Sequence, residues 1–187
     1  MKILSLIAVA ALLLVAAAPS AFATCSARGY VIISPGTHYD HIANGIPNRD
    51  ECWNPFNATY VTNTTSCGYS ANAYEFAYAG QISQTVTIPS TMTTGTLRLD
   101  YLVDFIDPNN DAVWNKFIVS VWDDTAGGQI GTDYFDGGMG DLYCSLRSIN
   151  LGSTNRAGHS ISVHIQGSEA YPDTYIRVRS ISLVQSW

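Results

Sequence analysis

The chain has 187 residues, with nine basic and fifteen acidic side chains and a formal charge of −6. Such an acidic balance makes nucleic acid and anionic membranes poor partners. Only 13% of residues are charged, so Ser, Thr, Asn and Gly carry most of the polarity, a composition common among exported β proteins that present neutral hydrogen-bonding surfaces.

The first 23 residues read as a signal peptide. Lys2 precedes an apolar run from Ile3 to Ala18, and Pro19-Ser20-Ala21-Phe22-Ala23 offers small residues at the positions a signal peptidase reads, predicting cleavage before Thr24. The run is too short for a membrane span, which takes about 20 apolar residues, and nothing later resembles one. Phe22-Ala23-Thr24 lacks the small residue expected before a lipid-modified cysteine, which argues against an anchor on Cys25. Cleavage leaves residues 24–187, eight basic against fifteen acidic side chains, a charge of −7. That length suits a single domain. The expected location is extracellular or periplasmic, and the leader has a bacterial look.

No later stretch keeps a helical period. Short apolar alternations recur between Gly, Asn, Asp and Pro clusters, which predicts an all-β sandwich. In chain order, strands are expected at Tyr30 to Ser34, Asn57 to Thr62, Ala73 to Tyr78, Gln81 to Ile88, residues 95 to 106, Phe117 to Trp122, Gln129 to Phe135, Leu142 to Leu151, around Ile161 to Ile165, and Tyr175 to Val184. The clearest sets Leu97, Leu99, Tyr101, Val103 and Phe105 on one face. In the last, Ile176 and Val178 change parity with Ile181 and Leu183, which predicts a bulge between them. Turns are expected at Ser34-Pro35-Gly36, Asp107-Pro108-Asn109-Asn110, Asp123-Asp124 with Gly127-Gly128, and Asp136-Gly137-Gly138. Thr37 to Ser70 is the least regular segment, and it is long for a structureless connection.

Four cysteines in an exported chain read first as two disulfides, with three possible pairings. The favoured set joins Cys52 to Cys67 across a short loop and Cys25 to Cys144. Zinc is the competing reading, disfavoured because no Cys-x-x-Cys pair occurs. Asn57-Ala58-Thr59 and Asn63-Thr64-Thr65 match glycosylation sequons, which matter only in a eukaryotic host.

From about Asn44 onward the order of features resembles the galactose-binding-like jelly-roll superfamily, which includes many carbohydrate-binding modules. Asn44-Gly45 with Trp53 stands where that family opens. Tyr78-Ala79-Gly80-Gln81-Ile82-Ser83-Gln84-Thr85-Val86-Thr87-Ile88-Pro89 is similar to its strand leading to a Pro turn. Gly95-Thr96-Leu97-Arg98-Leu99-Asp100-Tyr101 resembles its central strand, and Tyr175 to Leu183 its closing strand. The resemblance implies a jelly-roll β-sandwich of two antiparallel sheets and a role in glycan binding. Two departures concern the calcium site of many relatives: Ile46-Pro47 replaces the acid after Asn-Gly, and Arg177 and Arg179 stand where aspartate is frequent.

Sugar binding needs flat apolar rings with polar groups beside them. Tyr74, Phe76 and Tyr78 share one face of a strand, a pattern that reads first as core. The expected ligand platform is therefore Tyr69, Trp114, Tyr134, Tyr143 and Tyr171, in or beside loops. For calcium, Asp104, Asp107, Asn109 and Asp111 supply four acceptors in eight residues, and Asp133, Asp136 and Asp141 form a second cluster; neither has a defined loop spacing, and such residues also serve turns. His38-Tyr39-Asp40-His41 invites a metal or proton-transfer reading, against which a solvated turn is the simpler expectation. Glu51, Glu75 and Glu169 with the aspartates offer carboxylate pairs but no placement, and no Gly-x-Ser-x-Gly or His-Glu-x-x-His motif occurs. The expectation is a non-catalytic exported carbohydrate-binding module, without a cofactor beyond a structural calcium. The alternatives are a structural or adhesive envelope or matrix protein that binds other proteins, and third a glycan-active hydrolase.

Overall fold

The computed structural model describes residues 25–33, 36–44, 52–64, 71–106, 116–136, 142–168 and 175–187. They form ten strands: β1 Ser26–Ile33, β2 Gly36–Asn44, β3 Asn54–Thr64, β4 Ala71–Thr87, β5 Thr96–Ile106, β6 Lys116–Asp123, β7 Gly128–Asp136, β8 Leu142–Gly152, β9 Ser160–Ser168 and β10 Tyr175–Ser186. Every ladder between them is antiparallel. The predicted leader, residues 1 to 23, lies outside the described residues.

The pairing sorts into two layers. In the first, β10 has β5 along one edge, with β8 beyond it, while its other edge meets Phe76, Glu75 and Tyr74 of β4 at one end and Asp40 and Tyr39 of β2 at the other. In the second, the C-terminal half of β4 pairs β9, followed by β6 and β7. β3 runs beside β4 through both. At 17 residues β4 is longer than a globular strand usually is, because it belongs to both sheets. The corner is at Ala79, with φ +52°, facing a register break around Asn57, φ +47°. Strands that change sheets do so at such bends.

Both sheets turn one face inward. Leu99, Tyr101, Val103 and Phe105 of β5 meet Phe117, Val119, Val121, Ile161, Val163 and Ile165 from the other layer in one buried cluster. Tyr74 and Phe76 lie in that core, as the stripe reading expects; the Tyr78 side chain lies outside the described residues. The predicted bulge in the last strand is present as a register shift between Arg179 and Ser182, with Ser180 at φ +53°.

Several expectations are corrected. Ala73 to Tyr78 and Gln81 to Ile88 are one strand, β4, and the Ala79-Gly80 step between them is the corner. His38-Tyr39-Asp40-His41 is no solvated turn: it lies in β2, with Asp40 fully buried and His38 and His41 nearly so. Cys25 pairs with Cys52, their Cα atoms 5.6 Å apart, which excludes both favoured pairings. The β1–β2 hairpin is the reason: it sets Ser26 opposite Asn44 and so returns the chain past Cys25 shortly before Cys52. Cys144 is also disulfide-bonded, and Cys67 lies outside the described residues.

A polar clamp crosses from the first layer to the second at β7. Asp133 accepts the Tyr101 hydroxyl at 2.6 Å and a two-pronged bond from Arg147 at 2.8 and 2.9 Å. Burial pushes the Asp133 carboxyl up, but the hydrogen bonds from Arg147 and Tyr101 outweigh it and hold its pKa below the usual carboxylate value. Its stabilising contribution is therefore complete above about pH 3.8 and is lost as pH falls through the lowered folded value. Asp133→Ala leaves the buried Tyr101 hydroxyl without an acceptor and Arg147 without its partner. The expected loss is about 2 kcal/mol, discounted because Arg147 is partly solvated, and urea unfolding midpoints measure it.

The β2–β10 junction is polar as well. Asp40 accepts the backbone N–H groups of Ile42 and Leu183, each at 3.0 Å. His41 Nε2 bonds Gln185 Oε1 at 3.0 Å, while its Nδ1 is buried without a partner. Burial lowers the His41 pKa, and the Gln185 bond only partly opposes this. The folded chain thus prefers neutral imidazole: stability is full above pH 6.5 and falls as the pH drops below it. Asp40, raised by burial despite Arg28 nearby, acts with the opposite sign, losing its contribution as pH rises through its folded value. A His41→Gln variant leaves Asp40 in place. It is expected to show a shallower fall in melting temperature than the parent between pH 7.5 and 5.5.

Candidate functional site

The outward face of the second layer follows from strand parity. Phe117, Val119 and Val121 of β6 point into the core, so Lys116, Ile118, Ser120 and Trp122 face out. On β9 the inward Ile161, Val163 and Ile165 leave His164 and Gln166 outward. Register then aligns side chains across five strands: Phe56 lies opposite Gln81, Gln81 opposite Gln166, Gln166 opposite Ile118, and Ile118 opposite Tyr134. A second row holds Asn54, Ser83, His164, Ser120 and Thr132, and a third Thr85, Ser162, Trp122 and Gln129.

Rings stand at both ends of the first row, with Phe56 65% and Tyr134 47% exposed, and Trp122 in the third row is 40% exposed. Between them Gln166 Nε2 donates to Gln81 Oε1 at 2.9 Å. This bond uses the Gln166 amino group and the Gln81 carbonyl, so the Gln81 amino group and the Gln166 carbonyl are the amide groups it leaves for a ligand. A depression of about 310 Å³ lies between Phe56, Gln81, Gln166, Ile118 and Lys116. Its floor is rigid: Phe76 packs directly beneath, and a Cβ built on Gly167 would come within 2.7 Å of the Phe76 ring. Four interstrand spacings separate the end rings, about 19 Å.

Of the predicted platform, Tyr134 joins this face, its hydroxyl bonded to Asp136 at 3.1 Å. Tyr69, Trp114 and Tyr171 lie outside the described residues, as does the side chain of Tyr143, which belongs to β8. Of the first calcium set, Asp107, Asn109 and Asp111 lie outside them too. Asp104 is buried on β5 with the Arg179 guanidinium 3.9 Å away, so a fixed cation already faces that carboxylate. In the second set, Asp133 is held by Arg147 and Tyr101 and Asp136 by Tyr134, while Asp141 is not described. Arg177, the other departure from the family pattern, pairs with Glu75. Glu51 and Glu169 also fall outside the described residues.

Phe56, Trp122, Ile118, Gln81 and Gln166 were not among the predicted site residues. For Ile118 and Trp122 the signal was available, since the alternation that buries Phe117, Val119 and Val121 exposes them. Phe56 carried none, being in the segment with no clear period.

No protein-family model matches the chain, and no curated protein matches it in sequence. Solved structures do match. A family 61 carbohydrate-binding module, solved with β-1,4-galactotriose, aligns with TM-score 0.52 and 12% identity over 72% of this chain and 88% of its own. The fold is a jelly-roll β-sandwich like that of this module. A family 27 module, from a study of mannan recognition, aligns over 84% of this chain and 99% of its own at 12% identity and TM-score 0.40. A family 6 module from Clostridium stercorarium, solved with cellobiose, aligns over 71% and 87% at 14% identity and TM-score 0.39. On this jelly roll the β3-β4-β9-β6-β7 face is the broad surface where described rings and amides converge. Among the described residues no group of three or more His, Cys, Asp or Glu is arranged to hold a metal, and no helix is long and apolar enough to cross a membrane.

Proposed function

We propose that the chain is a non-catalytic, exported glycan-binding module whose ligand lies along the row from Phe56 to Tyr134. The carrying observation is that row: two exposed rings flanking a bonded pair of glutamine amides over a preformed depression. Rings stack on the apolar faces of sugars, and amides bond the hydroxyls that project between them. The jelly-roll fold adds support by analogy. The described face offers rings and amides where hydrolysis takes two opposed carboxylates. Export is supported by the apolar leader and by the Cys25–Cys52 disulfide. A protein-binding role is the second reading, favoured by Ile32 and Leu146, 90% and 71% exposed on β1 and β8.

An array of bacterial, plant and host glycans tests the proposal, probed with the purified chain with and without calcium. Saturable binding is expected, and Ile118→Glu, which sets a charge in the middle of the row, is expected to abolish it with the melting temperature kept. Silence from a folded chain across the array overturns the glycan reading in favour of the protein-binding one.

A further inference from the structure

At the far end of the sandwich, a second depression of about 340 Å³ lies between Tyr30, Trp187 and the β4–β5 connection at Thr91, Met92, Thr93 and Thr94. The end of β4 leading to it, Thr87, is six residues beyond Gln81 of the glutamine row, about 20 Å of strand. We infer that it is a second, independent saccharide site, one that takes a neutral sugar between the two rings and the threonine rim.

Both rings are 67% exposed, which is unusual for side chains of this size. They meet edge to face with centroids 6.0 Å apart, and Tyr30 is braced from behind by Tyr39 at 5.3 Å, which rests on His41 at 4.9 Å. The opposite wall is equally fixed. Met92 N–H bonds Pro89 carbonyl at 2.9 Å, and the buried Gln185 amide donates to the carbonyls of Thr94 at 2.6 Å and Met92 at 3.4 Å, held in turn by His41. Gly95 closes the loop at φ +115°, so near β10 that a Cβ there would sit 2.3 Å from the Ser186 carbonyl oxygen. A cleft whose walls are set before any ligand arrives loses little entropy on binding. Its lining decides the ligand class. It carries no charged side chain, so it has nothing to pair with an acidic sugar, a phosphate or a basic peptide. What it offers is ring edges and faces for stacking and threonine side chains for hydroxyl exchange. Two sites on one rigid module can hold separate stretches of one polysaccharide, or two chains, raising avidity without new contacts.

Nuclear magnetic resonance of the ¹⁵N-labelled chain, titrated with galactotriose, cellotriose and mannotriose, resolves the two sites. The Trp187 indole and the amides of Thr91, Thr93 and Thr94 report the rim; the side-chain amides of Gln81 and Gln166 report the sheet face. Saturable rim shifts with at least one trisaccharide are expected. They should persist in the Phe56→Ala/Tyr134→Ala double variant and weaken at least tenfold in Trp187→Ala and in Tyr30→Ala. Rim reporters that stay still with all three sugars overturn the inference, as do rim shifts that vanish in the double variant. So does broadening that depends on protein concentration alone, which marks β1 as a contact between copies. Movement of the face without the rim leaves the sheet-face reading standing and removes this one, and movement of the rim without the face does the reverse.

Discussion

Phe117→Ala is expected to cost about 4 kcal/mol of folding stability, among the largest losses a single truncation should produce in this chain. Phe117 is fully buried on β6 and stacks on Phe135 of β7 with centroids 4.7 Å apart. It also meets Phe76 of β4 at 6.2 Å and Tyr101 of β5 at 5.9 Å, so one ring joins both layers. Removing it leaves a void lined by three rigid rings, which cannot collapse as flexible aliphatic chains do, and the cost of such a substitution rises with the cavity that remains. Guanidinium unfolding measures the loss. Phe117→Leu, which keeps most of the volume, is expected to cost less than half as much. A loss below about 2 kcal/mol for alanine would mean that the two layers close over the gap.

The elements legible in the sequence are those with a strict period of two and one buried face. The alternate apolar residues Leu97 through Phe105, Phe117, Val119 and Val121, and Ile161, Val163 and Ile165 all lie in the core, because a slip of one residue would turn the whole apolar set outward. β2 was not legible, since Thr37-His38-Tyr39-Asp40-His41 places polar groups on both faces. Their partners, the Leu183 amide and the Gln185 side chain, come from the other end of the chain. The disulfide pairing is illegible in the sequence for a related reason. Loop closure favours the nearest cysteine, but the β1–β2 hairpin lowers the effective distance between Cys25 and Cys52. The site was half legible: single-strand parity locates Ile118 and Trp122, whereas the row itself depends on register among β3, β4, β9, β6 and β7, which no local pattern encodes. Asp104 and Asp133 looked like free acceptors only because their arginine partners are distant in sequence.

Truncating both rings of the row is expected to weaken glycan affinity about a hundredfold. Each ring offers one stacking contact, worth about 1.4 kcal/mol or tenfold when lost. Phe56 on β3 and Tyr134 on β7 stand about 19 Å apart with three strands between them, so their losses should add without coupling. Both side chains are substantially exposed, and their removal should leave the core and the melting temperature unchanged. Calorimetric titration of the best array ligand with Phe56→Ala, Tyr134→Ala and the double variant measures the three values. Tyr134→Phe separates stacking from hydrogen bonding: its hydroxyl is already committed to Asp136, so the phenylalanine should bind nearly as well as the parent. If one ring carries the whole loss, the ligand is shorter than the row and occupies one end. If the double variant loses no more than either single, the ligand never spans the glutamine pair, and the face is not read as one surface.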